Sequence, residues 1–113
     1  MNNIQKLWTT IACVSISALA LAGGHEATTT PSGEAIFEAN CANCHTGGIG
    51  GFFSGAPKVG DQSDWIALLP KGVEGLTATT ISGIGGMPLR GGCVDCSDED
   101  IRAAVEYIVE MSQ

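Results

Sequence analysis

Positive charge is scarce in this chain. Five lysines and arginines face twelve aspartates and glutamates in 113 residues, a formal net charge of −7. Binding to nucleic acid or anionic lipid rests on basic side chains meeting phosphates, so this balance opposes both roles. It favours protein partners with basic patches. Aromatic residues are also few: three Phe, two Trp and one Tyr, 5% of the chain. A small chain buries proportionally little surface, and domains of this size commonly depend on disulfides, a metal or a bound cofactor. No stretch alternates apolar and polar residues strongly enough for a half-buried strand, and no internal repeat is present. The core looks incomplete without something bound.

The long apolar run is N-terminal. "MNNIQK" carries one positive side chain, Lys6, followed by "LWTTIACVSISALALA" and the small-residue end Ala20-Leu21-Ala22. A charged start, apolar middle and A-x-A end read as a secretory signal peptide over residues 1–22, with cleavage after Ala22. The run is shorter than the roughly 18–20 residues of a spanning helix, so an uncleaved membrane anchor is the second reading. Cys13 falls inside this leader and is set apart from the chemistry. Residues 23–32, "GGHEATTTPS", are polar and without periodicity, a flexible lead-in. The folded domain is expected over residues 33–113.

Within that domain the pattern is helical with glycine-rich connections. Ser32 is placed to cap a helix running through "GEAIFEANCANC", with Ile36, Phe37, Cys41 and Cys44 at spacings of three and four. "GGIGGFFSGAPKVGD" is glycine-dense and reads as loop; it matches neither the phosphate-loop pattern nor the dinucleotide fingerprint. "SDWIALL" suggests a short helix capped by Ser63 or Asp64, and "VEGLTATTISG" another, weakened by its threonines and glycine. "GIGGMPLRGG" reads as loop. Ser97 before Asp98, Glu99 and Asp100 is a capping arrangement, and Ile101, Ala104, Val105 and Ile108 form an apolar stripe behind it.

The chemistry lies in "NCANCHTGG". Cysteines three apart on a helix share one face, so Cys41 and Cys44 can offer both thiols to one flat ligand, and His45 can turn toward the same ligand. Haem has two vinyl groups that accept thiols and an iron that accepts an imidazole, and Cys-x-x-Cys-His meets those needs in five residues. A thioredoxin-like dithiol would start a helix after a strand, whereas this pair ends a helical pattern. Cys41, Cys44, Cys93 and Cys96 could also form a four-thiolate zinc site. The gap between the pairs is far longer than usual zinc-ribbon spacing, and export to an oxidising compartment disfavours four free thiolates. With haem on the first pair, Cys93 and Cys96 are expected to form a disulfide; a reduced catalytic pair is the alternative.

An iron held by His45 has a second axial position. His25 lies in the lead-in and Met111 ends the last helix, whereas Met87 sits between glycines and Pro88, which fixes the backbone after it. Met87 is the expected ligand. A thioether favours ferrous iron and raises the reduction potential, and two filled axial positions leave no site for dioxygen or peroxide. The expectation is a one-electron carrier. A small haem enzyme or gas sensor with a displaceable Met87 is the alternative.

In this order and spacing the motifs resemble the class I c-type cytochromes, and more narrowly the cytochrome c5 type of bacterial periplasms, from about Gly33 to the C-terminus. Gly33, Phe37, Cys41, Cys44 and His45 begin the match; "GAPKVGD", Trp65, "GIGGMP" and "GGCVDCSDED" complete it. The resemblance implies an all-α fold around one covalently attached haem c and packing of Gly33 and Phe37 against Tyr107. It implies that the Pro57 carbonyl orients His45, and that Cys93 and Cys96 are disulfide-bonded. It also implies a periplasmic electron carrier, not an enzyme, with redox partner proteins such as a quinol–cytochrome c reductase or a terminal oxidase. A monomer is assumed. The loop from His45 to Pro57 is a few residues longer than the family pattern, through "GGFFSG". Phe52 and Phe53 are left with three readings: a cover for the haem edge, an exposed patch for a partner, or a loop tucked onto the protein.

Overall fold

Ser32 starts the first helix by accepting a hydrogen bond from the Ala35 backbone N–H at 3.2 Å, which satisfies one of the donors left free at a helix start. The computed structural model describes residues 30–113. The leader and nearly all of the lead-in, with Cys13 and His25, lie outside the described residues. Helices α1 (Gly33–Asn40), α2 (Ala42–His45), α3 (Ile49–Ser54), α4 (Gln62–Trp65), α5 (Gly72–Ser82) and α6 (Asp98–Met111) follow one another, with short 3₁₀ turns at Leu69–Lys71 and Leu89–Gly92. Among the described residues there is no strand, only an isolated bridge between Ile84 and Met87. None of the described helices is long and apolar enough to cross a membrane.

Helix α6 carries the core. Ser97 and Asp100 form a reciprocal capping box at its start, and Ile101, Ala104, Val105 and Ile108 are its buried stripe. Phe37, Trp65 and Leu76 complete the buried apolar cluster. Helix α1 crosses α6 so closely at Gly33 that any Cβ there would collide with the Ala103 carbonyl. That approach brings Phe37 and Tyr107 to 5.3 Å between ring centroids. Ser112, 1% exposed, closes the far end of α6 by accepting from the Gly60 N–H at 3.1 Å.

Three local expectations are corrected. The helix through Cys44 is not continuous: Cys41 turns to φ −109° and separates α1 from α2. The Asn40 side chain donates to the Ile36 carbonyl there, at 3.1 Å, a side-chain bond that competes with the helical ladder. The stretch read wholly as loop contains α3. Its glycines allow a packing that propensity does not see, because Gly51 lies against the Cys44 carbonyl, 2.8 Å from where a Cβ would sit. Gly55, at φ 62°, then ends the helix in the left-handed region. Helix α4 is capped by Asp61, not Ser63 or Asp64.

Candidate functional site

A cavity of about 400 Å³ is lined by residues of α1, α2, α4, α5, α6 and the Met87 loop. This lies within the roughly 300–1,000 Å³ typical of small-molecule and cofactor sites. Cys41, Cys44, His45, Pro57 and Met87 all line it. The remaining wall is largely apolar, with Trp65, Leu68, Leu76, Ile101, Val105 and Ile108 among its members.

His45 is buried, with 6% of its surface exposed. Its Nδ1 lies 2.7 Å from the Pro57 carbonyl oxygen. A carbonyl can only accept, so Nδ1 carries the proton and Nε2 is left with its lone pair. The next residue, Lys58, is held by α4 through both its backbone groups. Trp65 donates Nε1–H to the Lys58 carbonyl at 2.9 Å, and the Lys58 N–H donates to the Asp64 carboxylate at 2.9 Å. The Val59 N–H returns to the His45 carbonyl at 2.7 Å. The segment after α3 is thus bonded both to α4 and to the histidine it orients.

Burial, followed by the neighbouring Cys44 thiol, raises the Cys41 pKa, so its free form is held as the protonated thiol. Both cysteines are half-buried and line the cavity. Cys93 and Cys96 are paired with each other, with Cα atoms 5.4 Å apart. The four cysteines therefore do not converge on one metal, and among the described residues no group of three or more Cys, His, Asp or Glu is placed to hold one. This removes the geometric basis for a four-thiolate zinc site.

Met87 stands at the end of a tight turn. Its N–H donates to the Ile84 carbonyl at 2.8 Å, and its carbonyl accepts from the Ile84 N–H at 3.1 Å. Gly85, at φ 55°, lies inside the turn. Met111 is 52% exposed at the end of α6 and does not line the cavity. Phe52 and Phe53 are 82% and 81% exposed, and neither lines the cavity. Of the three readings of that segment, the loop tucked onto the protein does not describe it, since both rings are exposed on α3. Sequence reasoning missed the Asp64 and Trp65 bonds that hold the segment around Pro57, because these partners meet only through the fold.

A flat ligand with two thiol-accepting edges and an axial imidazole fits this donor set and this apolar wall, so the fold and cavity define a haem c pocket. The comparisons agree. Residues 28–108 match the family model described as cytochrome c oxidase, cbb3-type, subunit III. Cytochrome c5 of Ectopseudomonas mendocina is 39% identical over 77 residues, which is 66% of this chain and 84% of that protein. A chain in the crystal structure of an electron transfer complex of nitrite reductase with cytochrome c is similar at 36% identity and a TM-score of 0.66, covering 74% of this chain and 98% of that one. A mono-haem ferrocytochrome c from Shewanella putrefaciens gives 39% identity and a TM-score of 0.59, covering 70% and 93%. The chain belongs to the class I c-type cytochromes and is cytochrome c5-like. It carries one covalently attached haem c and is an electron carrier, not an enzyme.

Proposed function

We propose that Cys41 and Cys44 would hold the haem covalently through their sulfurs, that His45 and Met87 would hold its iron, and that the protein shuttles single electrons in the periplasm. The observation that carries this reading is the convergence of all four side chains on one cavity. The bound haem supplies a one-electron couple between ferric and ferrous iron. Around it, the chain's own residues do the rest. Pro57 accepts from His45 Nδ1, which fixes the ring and raises the basicity of Nε2. Met87 contributes a soft sulfur, which favours the reduced iron. Ile101, Val105 and Ile108 keep water from the interior face of the cavity. Cys93 and Cys96 form a structural disulfide, in keeping with an oxidising compartment.

The leader-like N-terminus and the cytochrome c5-like relatives support export to the periplasm. Redox proteins are the partners; by resemblance a quinol–cytochrome c reductase or a terminal oxidase supplies or takes the electron. The excess of acidic side chains favours a partner with a basic docking patch. The test is a visible spectrum of protein exported by a host with haem c maturation machinery, recorded oxidised, reduced and denatured. A low-spin c-type spectrum retained on denaturation, with the weak red band of methionine on ferric iron, is expected. Haem that separates from the denatured chain rules out the thioether bonds, and absence of the red band removes Met87.

A further inference from the structure

Arg90 is the one non-glycine among the described residues in the left-handed region, at φ 57°. Gly91 at φ 61° and Gly92 at φ 86° follow it, so three consecutive residues share a conformation that suits glycine and crowds any Cβ. A side chain kept in that position needs a compensating contact, and Arg90 has two. Its Nη2 donates to the Cys96 carbonyl at 2.6 Å, and its Nη1 pairs with the Asp98 carboxylate at 2.8 Å. The side chain is 26% exposed, against 44% for Arg102, the other paired arginine. The Asp98 carboxylate is 67% exposed, so the part-buried bond to the Cys96 carbonyl is the better shielded and the stronger of the two.

These partners matter because of where they are anchored. Asp98 is the first residue of α6, the helix that carries the core. Cys96 belongs to the disulfide loop and packs against the buried cluster. On the other side, Arg90 follows Met87 by three residues. The Gly91 N–H bonds the Pro88 carbonyl at 3.0 Å, and the Met87 Cε is 3.6 Å from where a Gly91 Cβ would sit. One guanidinium therefore ties the turn that follows Met87 to the disulfide loop and the start of α6.

We propose that Arg90 is a positioning residue for Met87: its bonds to Cys96 and Asp98 clamp the Met87 loop so that the thioether stays on the iron. The inference rests on the reading of Met87 as axial ligand. The test uses full-length exported holoprotein as wild type, Met87→Ala, Arg90→Gly and Asp98→Asn. Arg90→Gly is informative because glycine suits this backbone, so a merely structural Arg90 could be replaced without loss. Two quantities are read: the rate of carbon monoxide binding to reduced protein, and the denaturant midpoint for loss of the red methionine band beside that for loss of helix.

In Arg90→Gly, carbon monoxide binding is expected to accelerate about tenfold or more, the effect of losing charge-assisted bonds that hold the closed loop. The red band is expected to disappear at lower denaturant while the helix midpoint stays near wild type. Asp98→Asn is expected to show a smaller change of the same kind, and carries the test if Arg90→Gly yields no folded protein. Wild-type rates in both variants, or a band lost only in step with the helices, overturn the clamp. If Met87→Ala keeps the red band, Met87 is not the ligand, and the underlying assignment fails instead.

Discussion

The His45 imidazole and the Pro57 carbonyl, twelve residues apart in sequence, meet at 2.7 Å. The contact assigns the proton to Nδ1 and aims Nε2 for a metal. It depends on a small relay, since the neighbouring Lys58 carbonyl is gripped by Trp65 and its N–H by Asp64. Trp65→Phe keeps a ring in the core but deletes the donor. A loss of about 1–2 kcal/mol is expected, read from guanidinium unfolding of the holoprotein, and an unchanged midpoint would show that the indole bond contributes nothing.

With Met87 holding the iron as proposed, Met87→Ala is expected to lower the reduction potential, because the soft sulfur that would favour ferrous iron is gone. It should also open the reduced protein to carbon monoxide. Potentiometric titration and ligand binding read the two effects, and an unchanged potential removes Met87 from the axial position.

The α1–α6 crossing has no space at Gly33, where a Cβ would collide with the Ala103 carbonyl. Gly33→Ala forces the helices apart and is expected to cost about 1–3 kcal/mol, despite the better helix propensity of alanine. A stabilised variant in thermal unfolding would mean that the crossing relaxes freely.

Aromatic residues separate into two groups by burial. Phe37 is 1% exposed and packs on Tyr107, so Phe37→Ala is expected to cost about 3–5 kcal/mol. Phe52 and Phe53 meet edge to face, with ring centroids 5.4 Å apart, but face solvent. Serine at either is expected to change stability by no more than about 0.5 kcal/mol. A large loss there in denaturant titration would mean that the rings are covered in solution.

Asp61 caps α4 by accepting from the Ser63 N–H and hydroxyl. Those bonds, the hydroxyl first, lower its pKa. With the folded value depressed, its stabilisation is present above the ordinary carboxylate pKa and is lost as pH falls through the folded value. The stability gap between wild type and Asp61→Ala is therefore expected to narrow on acidification. A gap that stays constant from neutral to acid pH would show that the charge plays no part in the cap.

Some of this protein was legible from sequence because the information is local. Ser32 and Ser97 announce helix starts with their own side chains, and the stripe from Ile101 to Ile108 declares its buried face by period alone. Cys41, Cys44, His45 and Met87 carry chemistry that few residue types can supply, so spacing and flanking residues suggested them together. The opposite holds for α3. Its glycines count against a helix by propensity, yet they are what lets α3 pack on the Asn43 and Cys44 carbonyls.

What the sequence by itself determined was the chemistry of the binding motif and the helices whose caps and faces are written in adjacent residues. Only the tertiary structure decided the rest: the turn at Cys41, the outward direction of Phe52 and Phe53, the Trp65 and Asp64 bonds behind Pro57, and the double contact of Arg90. Arg90 shows why most plainly: its left-handed backbone is unfavourable locally and is balanced by contacts to Cys96 and Asp98. Local propensity counts the cost of such a conformation, but the compensating contact exists only after the chain has folded.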